Sequence, residues 1–259
     1  MSITVDALTP DNPRQLETFR RYLPQGVELI WVDSTQPVEQ QATQLKDAVA
    51  VIAAPSAFSV DLALACPNLK LIQTVSAGTN TIDLPALDEL GIKVANNGGG
   101  NAVAVAEHSI ALMVSVYRNL KRQFQSVQDR QWAADIRTTW FPNAYELTDK
   151  IVGIIGLGRI GQQVARRLQG WDCRLIYHDV TSLPTALEKA LNITKVDFDE
   201  LLRTSDMITL HVPLSRLTKG MMNDRAFDLM KPTAVLIFAV QNVARVASGE
   251  EPQSVVNPV

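Results

Sequence analysis

An apolar stretch, Ile151-Val-Gly-Ile-Ile155, runs into Gly156-Leu-Gly-Arg-Ile-Gly161 and then into the helical pattern Gln162-Gln-Val-Ala-Arg-Arg-Leu168. Three glycines so spaced between a strand and a helix suit a dinucleotide pyrophosphate. Gly156 permits a tight turn, Gly158 lets the backbone approach the phosphates, and Gly161 lets helix and strand pack closely. The amides of Arg159 and Ile160 fall at the positive end of the helix and can bind phosphate oxygens. A second strand, Arg174-Leu-Ile-Tyr177, leads to His178-Asp179, about 20 residues beyond the glycines. A carboxylate there can accept hydrogen bonds from adenosine ribose hydroxyls. The residues that follow, Val180-Thr181-Ser182, supply no cation for a 2′-phosphate, so NAD is favoured over NADP as the cofactor. A glycine-rich turn in some other α/β fold is the rival reading, and it leaves the full context of strand, helix and acid unexplained.

The elements that must hold these residues alternate. Strand candidates lie at 3–5, 28–32, 48–53, 69–74 and 92–95, with helical patterns at 13–23, 37–46, 59–65 and 83–90 between them. A long helical pattern, AVAVAEHSIALMVSVYRNLKRQFQSV, covers 102–127, and an aperiodic stretch follows. A second series then begins: strands at 151–155, 173–177, 193–196, 206–210 and 234–237, with helices near 159–169, 185–191, 198–203 and 224–230. Such alternation predicts parallel βαβ units. The expected class is α/β, with two doubly wound parallel-sheet domains joined by the long helix.

Bulk properties exclude several functions. The 259 residues are 46% hydrophobic and 20% charged, ordinary for a globular chain of one or two domains. A net charge of −3 gives no basic field for nucleic acid. The leading MSITVDALTP has no charged and apolar regions of a secretory leader, and the apolar run 102–117 is interrupted by Glu107 and His108 and too short for a bilayer. Cys66 and Cys173 lack metal-ligand spacing and read as small buried hydrophobes. The expectation is a cytoplasmic protein with no metal, nucleic-acid or membrane partner.

Several further runs carry a family resemblance. ELTDKIVGIIGLGRIG, SDMITLHVPLSRLTKGMMN and FDLMKPTAVLI follow one another, preceded by TVSAGTNTIDL and VANNGGGNAVAVAEHSIALMV and followed by NVARVASGEEPQSVVNP. In this order the chain resembles the NAD-dependent D-isomer-specific 2-hydroxyacid dehydrogenases, including the phosphoglycerate-dehydrogenase-like and glyoxylate/hydroxypyruvate-reductase-like enzymes. The resemblance implies a flavodoxin-like substrate domain from 1–101 plus 245–259. It implies an inserted Rossmann NAD domain at 102–244, a homodimer through the long helix, and hydride transfer between NAD and C2 of a 2-hydroxy or 2-keto acid. By position it assigns Gly156, Gly158, Arg159, Ile160, Gly161 and Asp179 to the ADP half. It sets His211 and Pro213 on the adenine side, Thr218 at the ribose–phosphate region and Val105 at the nicotinamide. Ser76, Ala77 and Gly78 would hold the substrate carboxylate, with Asn101 at the cleft. Structural readings compete at several of these: backbone contact only for His211, ordinary helix core for Val105, a plain turn for Ser76–Gly78, and a helix N-cap for Asn101.

The same resemblance exposes a gap. Reduction of a 2-keto acid asks for a cation on the carboxylate, a general acid/base and a carboxylate to brace it. The family supplies these as Arg, Glu and His after the strand matching 234–237. Here Ile237 is followed by Phe238-Ala239-Val240, and then by a helical pattern through Val240, Val243, Ala244 and Ala247. No residue inherits a catalytic role. His108 reads as a core or interface histidine, His178 and His211 belong to the adenosine end, and Arg245 reads as a solvated helix face. Loss of the segment predicts that strand 234–237 is a sheet edge with apolar side chains on both faces. The sequence therefore carries two functions forward: a dehydrogenase by descent with little turnover, and a non-catalytic NAD-binding module or shortened gene product.

Overall fold

A computed structural model describes residues 3–76, 78, 79, 81–131, 138 and 144–237. Two compact units divide between Gly100 and Asn101.

In the first unit, β1 (Ile3–Thr9), α1 (Pro13–Tyr22), β2 (Val27–Asp33), α2 (Val38–Leu45), β3 (Ala50–Ala53), α3 (Val60–Leu64), β4 (Leu71–Thr74), α4 (Leu84–Glu89) and β5 (Lys93–Ala95) follow in order. The sheet order is β2-β1-β3-β4-β5, and every pairing is parallel. This is the flavodoxin-like order. Helices start where a side chain takes an end amide: Asn12 accepts from Gln15, Ser59 from Leu62 and Asp83 from Ala86. Leu8, Val32, Leu45, Val51, Leu62, Ile72 and Leu87 fill one core cluster.

The second unit opens with α5 (Ala102–Tyr117) and α6 (Leu120–Gln128). Then come β6 (Ile151–Ile155), α7 (Arg159–Arg167), β7 (Arg174–His178), α8 (Thr185–Ala190), β8 (Ile193–Lys195), α9 (Phe198–Thr204), β9 (Met207–Leu210), α10 (Asp224–Leu229) and β10 (Val235–Ile237). The sheet runs β8-β7-β6-β9-β10, all parallel. It matches the first five positions of the doubly wound dinucleotide order, with the direction of winding reversing between β6 and β9. Central β6 is buried from Val152 to Ile155, which is why it reads as a continuous apolar run. Two clusters sandwich the sheet. Ala106, Met113 and Tyr117 of α5 with Val164 and Ala165 of α7 cover one face; Leu201, Leu202 and Ala226 cover the other.

At the amino ends of the strands Asp206 acts as a buckle. Its Oδ2 accepts the Ile151 amide at 2.9 Å and its Oδ1 accepts the Lys231 ammonium at 2.8 Å. Burial pushes the Asp206 carboxyl up, but the Ile151 amide and Lys231 outweigh it and hold it below the usual carboxylate value.

Strand β10 is an edge, as the gap in the sequence implies: among the described residues only β9 pairs with it. Val235 and Ile237 turn to one core cluster and Leu236 to the other, so both faces are apolar, with Val235 and Leu236 only half buried. Two expectations need correction. The pattern 102–127 is not one helix; it breaks at Arg118–Asn119, where Asn119 takes φ 50°. Asn is among the few side chains that tolerate this left-handed conformation, and an apolar period running through the break conceals it. His108 is exposed on α5, so of the core and interface readings only the interface one stands. The helical pattern at 240–247, Arg245 and the tail 245–259 lie outside the described residues.

Candidate functional site

The fingerprint folds as strand, turn and helix, and each glycine meets a different demand. Gly156 ends β6 with φ +89°, and its amide donates to the His178 carbonyl at 2.9 Å. A Cβ there would stand 2.7 Å from Val212 Cγ1 and 2.8 Å from the His211 carbonyl. Conformation and crowding both require glycine. A Cβ at Gly161 would lie 2.2 Å from the Gly156 carbonyl oxygen, so this glycine seats α7 against β6. Gly158, the N-cap of α7, differs: its φ of −71° is ordinary, and a Cβ would meet no protein atom within 4 Å. Nothing in the protein itself requires glycine at 158. The backbone at 158 is therefore open to a group approaching from outside. The Arg159 and Ile160 amides sit in the first turn of α7, ahead of Gln162, whose amide donates to the Gly158 carbonyl at 3.0 Å.

Asp179 follows β7 and ties the site together. Its Oδ2 accepts the Leu157 amide at 2.7 Å, linking this carboxylate directly to the glycine turn, and its Oδ1 accepts the Thr181 amide at 3.0 Å. Each carboxylate oxygen keeps a further lone pair that can accept from an outside hydroxyl. Sequence spacing placed Asp179 here; the bond to Leu157 has no sequence signal.

On the other side of the winding reversal, the His211 amide donates to the Ile155 carbonyl at 2.7 Å. Its ring Nε2 pairs with the buried Thr209 hydroxyl at 2.9 Å, while Nδ1 is buried with no partner among the described residues. Burial pushes the imidazole down to about 4, so the ring is neutral at pH 7 and unsuited to shuttling protons near neutrality. Pro213 is exposed. The Thr218 hydroxyl donates to the Pro213 carbonyl and accepts the Ser215 amide at 2.9 Å, so it closes this loop from within. Val105 is half buried on α5 and packs against the core cluster shared with α7, the helix-core arrangement.

In the first unit, Ser76 follows β4. Its hydroxyl donates to the Gly78 carbonyl at 3.1 Å, and its own carbonyl accepts from Thr74 Oγ1 at 2.7 Å and the Asn97 amide at 3.1 Å. Ala77 lies outside the described residues. Asn101, in the second unit, is exposed at the N-cap of α5, yet its side chain makes no capping bond. Only the position fits the N-cap reading. No group of three or more His, Cys, Asp or Glu among the described residues could hold a metal. A recess of about 260 Å³, lined by residues such as Val114, Tyr117, Tyr145 and Trp171, opens before β6 and β7. It is at the amino ends of the strands, away from the glycine turn.

Comparison with known proteins agrees with this geometry. The model of the D-isomer specific 2-hydroxyacid dehydrogenase NAD binding domain matches residues 110–252, more than half of the chain. The chain belongs to this family. Glyoxylate reductase of Thermococcus litoralis is 37% identical over 174 residues, 66% of this chain and 52% of that protein. Rhodotorula graminis D-mandelate dehydrogenase in its holo form aligns with a TM-score of 0.79 at 25% identity, covering 91% of this chain and 73% of that one. D-lactate dehydrogenase from Aquifex aeolicus, solved with NAD and lactic acid, aligns with a TM-score of 0.73 at 28% identity, covering 90% and 67%. The chain spans about half the length of several curated relatives it matches. As a 2-hydroxyacid dehydrogenase family member it carries that family's NAD-binding domain, and no helix among the described residues is long and apolar enough to cross a membrane.

Proposed function

We propose that this chain binds NAD(H) at the carboxyl ends of β6, β7 and β9 and, as it stands, turns over 2-hydroxy or 2-keto acids very slowly. The observation that carries the binding half is Gly158: a glycine that its own protein leaves unexplained, at the mouth of an anion-binding helix end, with Asp179 held beside it by the Leu157 amide. Gly156, Gly158, Gly161 and the Arg159 and Ile160 amides would take the pyrophosphate, and Asp179 the adenosine ribose. The His211–Pro213 turn would border the adenine. NAD supplies the hydride acceptor or donor of the family's chemistry when bound.

The slow-turnover half rests on chemistry. Proton transfer to a carbonyl oxygen needs a group that titrates near neutrality. Burial has taken His211 out of that range, His178 lies against Val196 and Phe198, and His108 is an exposed helix residue. The Arg–Glu–His strip expected after Ile237 is absent from the sequence. The two-domain reading, 1–101 with 245–259 as substrate domain and 102–244 as NAD domain, draws support for its first boundary from the division at Gly100–Asn101 and the two sheet orders, and for the return of 245–259 from the family resemblance alone. Ser76 and Gly78 with Ala77 would then present the substrate carboxylate loop, Asn101 and Val105 would border the reacting end, and Thr218 would border the ribose–phosphate region. A homodimer is supported by an outward apolar stripe: Phe124 is 68% and Val127 61% exposed on α6. A cytoplasmic location accords with the cysteine usage.

The test is a fluorescence titration with NADH, followed by NADH consumption against a panel of 2-keto acids. Saturable binding without appreciable consumption is the expected result. Absence of binding at millimolar NADH removes the first half of the reading, and brisk consumption removes the second.

A further inference from the structure

The recess at the amino ends of β6 and β7 takes no part in the dinucleotide site, and aromatic and acidic groups line it. Tyr117 comes from the last turn of α5, Tyr145 from the segment ahead of β6 and Trp171 from the turn between α7 and β7. Backbone bonds fix these walls. The Tyr145 amide donates to the Tyr117 carbonyl at 2.9 Å, the Trp171 amide to the Leu168 carbonyl at 3.2 Å and the Asp149 amide to the Asp172 carbonyl at 2.9 Å. The Tyr117 and Tyr145 rings lie 5.7 Å apart between centroids, tilted by 56°. Tyr117 is buried and its hydroxyl donates to the Asp206 carbonyl at 3.3 Å; burial pushes the phenol up to about 12, so it stays neutral. Trp171 and Tyr145 are 38% and 48% exposed, large rings left open at the rim. Three charged side chains complete the lining, Arg118, Glu146 and Asp172. The Arg118 guanidinium lies 3.8 Å from the Glu146 carboxylate, whereas the Asp172 carboxylate has no ion-pair partner among the described residues.

We propose that this recess is a second ligand site, for a small organic ammonium ion held between Trp171, Tyr145 and Tyr117 with its charge on Asp172. Ring faces carry negative charge density and attract a cation, Trp most strongly. An ammonium N–H donated to a carboxylate makes a charge-assisted bond. The one cation of the lining is matched by Glu146, so the charge left over belongs to Asp172 and is negative. That surplus, together with the ring faces, selects against an anion. The volume of about 260 Å³ sets the size. It equals the liquid share of about nine water molecules, enough for an ammonium group on a compact apolar body and too little for a dinucleotide. The apolar body has Val114 and the buried Leu147 to pack against. The site stands independently of the dinucleotide reading, since none of its residues belongs to the glycine turn or to the loops after β7 and β9.

The experiment is calorimetric titration of the full chain with 2-phenylethylammonium, a probe of this size, against its neutral isostere 2-phenylethanol and the anion phenylacetate. Wild type, Asp172→Asn, Trp171→Leu and Trp171→Phe are compared, with a thermal melt of each to confirm folding. Asp172 has φ 51°, a left-handed conformation that Asn also tolerates, so Asp172→Asn removes the charge and keeps the turn. Wild type is expected to bind the ammonium saturably in the millimolar range or tighter, about tenfold tighter than the alcohol, the scale of one charge-assisted hydrogen bond. Phenylacetate binds weakest. Asp172→Asn brings the ammonium down to the level of the alcohol. Trp171→Leu weakens the ammonium about fivefold, the scale of a cation over an indole face, and Trp171→Phe recovers part of that loss. The alcohol binding as tightly as the ammonium would reveal a plain apolar crevice and overturn the proposal. So would ammonium affinity unchanged in Asp172→Asn, or no saturable binding by wild type at millimolar concentration, the result expected if a further part of the chain or a second copy fills the recess. NADH titrations on the same samples separate the two sites: the three variants should keep wild-type NADH affinity within about twofold, and a parallel loss of both ligands would show general damage to the domain and refute a distinct site.

Discussion

Two alanine substitutions, three residues apart, should behave in opposite ways. At Gly161 the added Cβ would sit 2.2 Å from the Gly156 carbonyl oxygen, where about 3.0 Å is the closest approach side chains show. The partner is backbone, so relief requires α7 to move by at least 0.8 Å, the difference of those two distances. Overpacking of that kind costs about 1–3 kcal/mol, and at about 2–4 °C per kcal/mol for a domain of this size the melting temperature falls by about 2–12 °C. The shift also carries the Arg159 and Ile160 amides off the phosphate position, so NADH affinity falls with stability. At Gly158 the Cβ meets no protein atom and φ is ordinary. Stability then stays within about 0.5 kcal/mol of wild type, while the methyl occupies the approach to the α7 amides and NADH affinity drops at least tenfold. Circular-dichroism melts and NADH titrations on both variants decide the matter. If Gly158→Ala melts several degrees low, or binds NADH as wild type does, the assignment of that glycine to a ligand is wrong.

Three other perturbations follow from the same reasoning. Asp206→Asn removes the acceptor charge facing Lys231 and weakens the Ile151 bond, for a loss of about 1–2 kcal/mol in urea unfolding at pH 7. Because the folded carboxyl lies below its ordinary 3.8, its contribution is present above that value and fades as pH falls through the folded one; the Asn variant should lack that part of the acid transition. Asp6, 3% exposed in the first unit, has its carboxyl pushed above 3.8 by burial, so its sign is reversed: stability is lost as pH rises from 3.8 through the folded value. Asp6→Asn should therefore melt higher than wild type at pH 7 and show no such gain at pH 3. Phe124→Glu on α6 should convert the proposed dimer to monomer in sizing chromatography without lowering NADH affinity; an unchanged elution volume argues against that surface.

Much of this fold was legible because the period of the apolar residues and the position of the glycines are local properties. Strand β6 was bounded to the residue, and α7, β7 and β9 to within a residue or two, because buried parallel strands are short apolar runs framed by turn residues. The break at Asn119 was not legible: the apolar rhythm of α5 continues into α6, and a left-handed Asn leaves no signature distinct from a helical one. The choice between core and interface for His108 was not legible for a similar reason, since apolar neighbours in sequence said nothing of which side of α5 it takes. The parts of the site that were missed depend on strand order. Lys195 meets Ser182 only because β8 lies beside β7, and His211 and Val212 crowd Gly156 only because β9 lies beside β6.

Among the described residues strand β10 has one neighbour where β6 has two, and it is three residues long. The Lys231–Asp206 bond staples the chain just ahead of it, so fraying should start at the Ile237 end and travel backwards. Deuterium would enter there first and reach β6 last. The rim through which the sheet breathes most readily is thus the place where the sequence runs on into its shortened tail, and proteases would find their first foothold at that margin.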